Sequence, residues 1–148
     1  MKLGITFGAW DLLHAGHAHF LRECAEQCDA LIVGLHTNPA VERLTKHPPV
    51  QTVFERYEQL NAIAGVDKII PYDTEHDLIS IIMMYHPAIR FLGDDYREDD
   101  NFTGKQLCER IGTKLVYLPR MHDYSSAELR NRVYNDVKRK TITSTTSN

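Results

Sequence analysis

Ile5-Thr6-Phe7-Gly8-Ala9-Trp10-Asp11-Leu12-Leu13-His14-Ala15-Gly16-His17 reads as a strand that enters a tight loop and leaves it as a helix. Leu3, Ile5 and Phe7 alternate with smaller or polar residues up to Gly8, where a close backbone turn is cheap, and His14 and His17 bracket Gly16 as a helical pattern begins. That layout suits an anion. The first backbone N–H groups of a helix lack intrahelical partners and carry the positive end of its dipole, so a phosphate is held there. Two imidazoles at that end can donate toward the same phosphate oxygens, and the expected chemistry is that of phosphates.

Outward from this stretch, Ala18 to Gln27 carries Phe20, Leu21, Cys24 and Ala25 at helical spacing, and Ala30-Leu31-Ile32-Val33-Gly34-Leu35 is a continuous apolar run. Such a run fits a strand covered on both faces in a parallel sheet, which makes the segment a β-α-β unit. Periodicity then vanishes from His36 to Val53, where Asn38-Pro39 and Lys46-His47-Pro48-Pro49 mark a loop long enough to be functional or mobile. Helical spacing returns from Phe54 to Ala64 and is closed by Gly65; Lys68-Ile69-Ile70-Pro71 is a short strand. Asp77 to Tyr85 is an apolar helix closed by His86-Pro87, and Ile89-Arg90-Phe91-Leu92 is another strand, left through the loop Gly93-Asp94-Asp95-Tyr96. A helix around Gly104 to Ile111 precedes the last strand, Leu115-Val116-Tyr117-Leu118, which Pro119 cuts. Ser125-Ser126 with Glu128 has the pattern of a helix N-cap, and that helix is expected to end near Val137.

Strands alternating with helices at this spacing predict an α/β fold, a doubly wound parallel five-stranded sheet with helices on both faces. The loops after Phe7, Leu35, Leu92 and Leu118 then open on one rim, at the carboxyl ends of the strands, where ligands of such sheets bind. Residues 138–148 are basic and then rich in Thr and Ser and lack an apolar payload, so a domain over 1–137 with a disordered tail is expected.

The chain has 148 residues, 43% of them hydrophobic, which suits one domain with a real core. A formal net charge of −3 leaves no basic surface for a nucleic-acid backbone, so polymeric DNA or RNA is not an expected partner and small charged ligands are. Three cysteines, Cys24, Cys28 and Cys108, without a signal peptide or a long apolar span fit a reducing cytoplasm. Cys24 and Cys28 fall on the buried face of a helix and read as small hydrophobes before metal ligands. His19, His36, His86 and His122 read as packed or solvated side chains.

Gly8-Ala9-Trp10-Asp11-Leu12-Leu13-His14-Ala15-Gly16-His17 resembles the HxGH signature of the cytidylyltransferase branch of the nucleotidyltransferases, and Tyr124-Ser125-Ser126 followed by Glu128-Leu129 resembles its second motif. Gly93-Asp94-Asp95-Tyr96 and Tyr117-Leu118-Pro119-Arg120 are similar to glycerol-3-phosphate cytidylyltransferases, and the likeness runs from about Lys2 to about Tyr134. The resemblance implies transfer of CMP from CTP to a phosphorylated alcohol, glycerol 3-phosphate first among them, with release of pyrophosphate, Mg2+ or another divalent cation carried on the nucleotide, and a homodimer. It implies that His14 and His17 donate to the phosphates, that Lys46 reaches in from the long loop, and that Arg120 contacts the nucleotide. Ser125 and Ser126 with their N–H groups would hold the leaving end, and Gly8, Ala9, Trp10, Asp11, Gly16, Asp94 and Tyr124 would complete the nucleotide site. Arg56, His47 and His76 are the expected acceptor contacts; the bland alternative for Arg56 is a surface pair with Glu55 and Glu58, and for Trp10 a place in the core. A phosphate monoester is largely a dianion at neutral pH, so no catalytic carboxylate is required. Two departures from the family pattern stand out: Ala9 replaces the common Thr, and Lys46 is alone in a loop usually richer in lysine. An adenylyltransferase of the same fold acting on a sugar phosphate or cofactor precursor, and a catalytically inert nucleotide-binding module, are the alternatives.

Overall fold

The structure, a computed structural model, describes residues 1–120 and 123–146, with side chains described as far as residue 142. Five parallel strands, β1 (Leu3–Gly8), β2 (Ala30–His36), β3 (Lys68–Tyr72), β4 (Ile89–Gly93) and β5 (Lys114–Leu118), pair in the order β3-β2-β1-β4-β5. Among the described residues five α-helices accompany them, α1 (Ala15–Glu26), α2 (Val53–Asn61), α3 (Glu75–Tyr85), α4 (Lys105–Ile111) and α5 (Ser126–Thr146), with one 3-10 turn at Asp94–Tyr96. The chain winds outward from β1 through β2 to β3 and then crosses back to β4, so strand order reverses at β1 and a crevice opens beyond its carboxyl end.

Burial on both faces explains the unbroken apolar runs. Leu31, Val33, Leu35, Ile89 and Phe91 pack with Leu21 and Cys24 of α1 and Leu60 of α2, whereas Ile5, Ile32 and Tyr72 pack with Leu78, Ile81 and Ile82 of α3 and Cys108 of α4. Each such leucine or isoleucine, removed wholly from water, contributes about 2 kcal/mol. Pro71 is tolerated inside β3 because β3 is an edge strand, where a missing N–H breaks no ladder bond. Gly34 has the opposite reason to be small: a Cβ there would stand 2.3 Å from the ring of Phe7.

The helix starts are locally encoded. Thr52 caps α2 and Thr74 caps α3, each in a reciprocal box with the acid three residues on, Glu55 and Asp77. Two boundaries differ from the sequence expectation. α2 ends at Asn61, and the closing turn takes up the residues before Gly65, whose φ of +94° ends the segment. α5 does not stop near Val137 but continues to Thr146, through residues expected to be a disordered tail. No Gly or Pro follows Pro119 to break it, and Asp136 pairs with Arg139 at 3.9 Å and Lys140 at 3.3 Å along one face.

Candidate active site

The segment between β1 and α1 is wound tightly. Trp10 and Leu12 both have left-handed backbone conformations, φ +54° and +50°, which cost a non-glycine residue about 1 kcal/mol or more each and persist only where the surroundings hold them. They are held. The Trp10 indole N–H donates to Gly34 O at 3.0 Å, and the Leu12 N–H donates to Gln51 Oε1 at 2.7 Å. Between them the Asp11 carboxylate accepts the N–H groups of Val50 and Gln51, both at 2.9 Å. From the far end of the chain, Ser126 Oγ donates to Asp11 O at 2.8 Å, which ties the start of α5 to the same loop.

Histidines take the places usually filled by Ser and Glu in the box that opens α1. His14 Nδ1 accepts the Gly16 N–H at 3.0 Å, and the His14 N–H donates to His17 Nδ1 at 3.3 Å. An Nδ1 that accepts carries no proton, so in each neutral ring the proton sits on Nε2, and both rings present an N–H donor. The rings stack, 3.9 Å between centroids and 25° between planes, and Trp10 meets His17 edge-on at 5.5 Å. One capping arrangement therefore fixes the tautomer and orientation of both imidazoles at the positive end of α1.

A cavity of about 430 Å3 lies over the carboxyl edge of the sheet. His14, His17, Gly16, Gly8 and Ala9 line it on the α1 side, Lys46 comes from the long loop, and Asp94, Arg120 and Ser126 come from the β4 and β5 ends. These are the residues that the family motifs single out, gathered from four loops. Tyr96, which ends the Gly93-Asp94-Asp95-Tyr96 loop, also lines the cavity. Asp94 bonds Arg97 Nε at 2.8 Å, and Arg43 pairs with Glu75 at 2.9 Å on the rim nearest Lys46.

Several expected contacts lie elsewhere. Arg56 is neither a surface pair nor an acceptor contact: it is 1% exposed, and its guanidinium donates to five backbone carbonyls. Ala9 O is at 2.9 Å, His36 O at 2.7 Å and Thr37 O at 2.6 Å, with Gln51 O and Thr52 O at 3.2 and 3.3 Å. Burial draws its pKa below the usual arginine value. Asp11 is spent on backbone N–H groups and does not line the cavity. His47 and His76 are exposed and outside it, as is Tyr124. Ser125 is outside too, because its Oγ caps α5 by accepting the Glu128 N–H at 3.0 Å. Trp10 touches the cavity but belongs to the core, 7% exposed, the alternative open in the sequence.

Of the other histidines, His19 lines the cavity and pairs with half-buried Glu23, whereas exposed His86 bonds Ile111 O, as expected of a solvated or packed side chain. His122 lies outside the described residues. Cys24 is wholly buried, Cys28 Sγ–H donates to Cys24 O at 3.3 Å, and burial pushes both thiols up, as for small hydrophobes. Among the described residues no group of three or more His, Cys, Asp or Glu is placed to hold a metal ion. Among the cavity residues that carry no mark in the motifs are buried His36 and buried Arg90. The only signal for Arg90 is a charged residue at the centre of the apolar strand Ile89-Arg90-Phe91-Leu92.

One family profile, described as Cytidylyltransferase-like, matches residues 5–132, a span that takes in the two-histidine turn and the start of α5. The chain belongs to this family. Among curated relatives, the bifunctional protein HldE of Hyphomonas neptunium is 31% identical over 131 residues, 87% of this chain and 26% of that protein. The bifunctional protein HldE of Acidiphilium cryptum is 39% identical over 118 residues, 78% of this chain and 24% of that protein. The chain thus spans about a quarter of the length of the curated relatives it matches. Among solved structures, the lipopolysaccharide core biosynthesis protein of Thermoplasma volcanium GSS1 superposes with a TM-score of 0.62 at 25% identity, covering 84% of this chain and 99% of that one. Pantoate-beta-alanine ligase of Francisella tularensis shares the fold, with a TM-score of 0.60 at 16% identity over 90% of this chain and 70% of that one. The chain is therefore a cytidylyltransferase-like nucleotidyltransferase with a Rossmann-like sheet.

Proposed function

We propose that this nucleotidyltransferase joins the nucleotidyl group of CTP to the phosphate of a phosphorylated alcohol and releases pyrophosphate, with glycerol 3-phosphate the acceptor that its motifs resemble most. The observation that carries nucleotidyl transfer is the reciprocal cap of His14 and His17, which fixes two imidazoles at one helix start where both line the cavity. Charge that develops on the α-phosphate and on departing pyrophosphate is met there by fixed donors and the helix dipole. The nucleophile is a phosphate dianion, so the protein's task is alignment and charge neutralisation. Lys46 and Arg120 are the cations set to approach the nucleotide from opposite loops, and Ser126 and Asp94 border it. A divalent cation would be carried on the nucleotide phosphates and would neutralise part of their charge. A homodimer is the assembly that the family resemblance implies, and a reducing cytoplasm the compartment that fits the free cysteines.

A second reading, adenylyl transfer to a sugar phosphate, has its own support. The relatives are named for HldE and for lipopolysaccharide core biosynthesis, a sugar structure, and the cavity extends past the histidines toward Tyr72 and Phe102. The deciding experiment crosses CTP, ATP, GTP and UTP with glycerol 3-phosphate and a set of sugar 1-phosphates and follows pyrophosphate release. Turnover with CTP and glycerol 3-phosphate supports the first reading. Turnover only with ATP and a sugar phosphate replaces it with the second, and nucleotide binding without turnover in any pair returns the chain to a binding module.

A further inference from the structure

The half of the cavity beside α3 and α4 contains a charge without a counter-charge. Arg90 is 5% exposed and lines the cavity. Its guanidinium lies 5.1 Å from the ring centroid of Phe7 and 5.2 Å from that of Phe102, and its Nη1 donates to Thr103 O at 2.5 Å. Its Nε has no hydrogen-bond partner. The titratable groups that act on it are Cys108, Tyr72 and Tyr96, and among the described residues no carboxylate forms an ion pair with it. The surrounding chain is shaped to its presence: Gly104, at φ +85°, would place a Cβ 2.8 Å from Arg90 Nη1. A second buried nitrogen without a partner borders the same space. His36 is 5% exposed, its ring stacks on Tyr72 at 4.6 Å, and its Nε2 is unpaired.

Cation–π contact offsets only part of the cost of taking a guanidinium out of water, and buried charges are ordinarily paired. The missing partner is an anion, and a ligand brings it. The reacting phosphate of an acceptor belongs at the His14 and His17 end of the cavity, so whatever meets Arg90 is the acceptor's other end. We propose that the acceptor carries, at the end remote from its reacting phosphate, a second anionic group, a carboxylate or another phosphate, that pairs with the Arg90 guanidinium and is contacted by His36 Nε2. This rests on the nucleotidyl-transfer reading above but not on its acceptor: glycerol 3-phosphate has a neutral far end, and the proposal replaces it with a doubly anionic molecule.

Matched acceptors test it. Glucose 1-phosphate, glucuronic acid 1-phosphate and glucose 1,6-bisphosphate share one ring and differ only in a hydroxymethyl, carboxylate or phosphate at the far end; glycerol 3-phosphate and 3-phosphoglycerate form a shorter pair. Dissociation constants are measured by calorimetry without nucleotide, and kcat/KM by pyrophosphate release. Wild type is expected to bind an anionic-tailed acceptor about 10- to 100-fold more tightly than its neutral-tailed counterpart. Arg90→Met should erase that preference while leaving the neutral-tailed acceptor and the KM for nucleotide unchanged, and Arg90→Lys should keep part of it. Which tail gains most tells carboxylate from phosphate. No preference in wild type overturns the proposal without recourse to any variant, as do an Arg90→Met loss equal for all acceptors and a change confined to nucleotide KM. A binding preference without turnover on any donor would sink the transferase reading and leave the anion site standing; turnover without preference would do the reverse.

Discussion

Replacing Arg56 with Met should unfold the protein at distinctly lower temperature and disorganise the turn that holds the histidines. Three of the carbonyls that Arg56 binds, Ala9 O, His36 O and Thr37 O, lie within 2.9 Å of its terminal nitrogens and belong to the turn after β1 and to the end of β2 with the loop that follows it. A hydrogen bond from a charged donor contributes about 1.5 to 3 kcal/mol, and an orphaned buried acceptor costs about 1 to 3 kcal/mol. Against this stands the cost of burying the guanidinium in the native protein, which removal of the charge recovers. The net expectation is a loss of about 3 to 4 kcal/mol, toward the upper end for single substitutions. At about 2 to 4 °C per kcal/mol for a chain of this size, Tm falls by about 10 °C. Circular dichroism melts and urea titrations with an unchanged m-value measure it. At a temperature where the variant is folded, kcat should fall because Ala9, and with it the loop into α1, has lost an anchor. A variant of wild-type stability whose only defect is a raised acceptor KM would refute this account and make Arg56 an acceptor ligand after all.

Further expectations follow from the same geometry. His14→Asn retains an N-cap and His17→Gln retains the reciprocal bond of the capping box, so both should melt within about 1 kcal/mol of wild type. Each should nonetheless lose about 100- to 1000-fold in kcat, as for removal of a positioned donor, and a variant that unfolds instead shows a structural histidine. The N–H groups of Asp73 and Thr74 hold the Asp77 carboxyl below the usual carboxylate range, so its contribution to stability is whole above the ordinary aspartate pKa and is lost as pH falls through the lowered folded value. Asp77→Asn should accordingly lower Tm in the neutral region and leave the strongly acid end little changed, so that the acid limb of a Tm-against-pH curve flattens. Removing residues 141–148 shortens α5 beyond Lys140, where Thr141 and Ile142 are exposed, and should not alter turnover; a large loss would give that helix end a role at the site.

The strands and the histidine turn were legible because their information is local. An apolar run such as Ala30–Leu35 has few readings besides a doubly covered strand, and glycine between two histidines at a helix start fits an anion better than a core. What the sequence hid depends on partners far along the chain. Arg56 lies beside Glu55 and Glu58 in sequence, but its bonds run to Ala9, His36 and Thr37, and no spacing rule reveals backbone carbonyls as partners. Asp11 was misplaced for the same reason, its two N–H donors being Val50 and Gln51. Arg90 and His36 look like an interruption and an end of apolar strands, and only the convergence of β1, β2 and β4 at one rim makes them neighbours of a cavity. The length of α5 was missed because Ser and Thr were weighted as loop formers, whereas ion pairs one turn apart and the lack of a breaker decide the matter.

The central claim is that His14 and His17 direct attack of a phosphate monoester on the α-phosphate of a nucleoside triphosphate. Phosphorus NMR of a reaction holding the wild-type protein, a divalent cation, CTP or ATP and the preferred acceptor follows every phosphorus atom at once. The account predicts a pair of mutually coupled signals from a new nucleoside diphospho-alcohol, growing in step with free pyrophosphate and absent with His14→Asn or His17→Gln. Release of inorganic phosphate from the γ-position with the acceptor unchanged, or the same coupled product at undiminished rate from either variant, would contradict it.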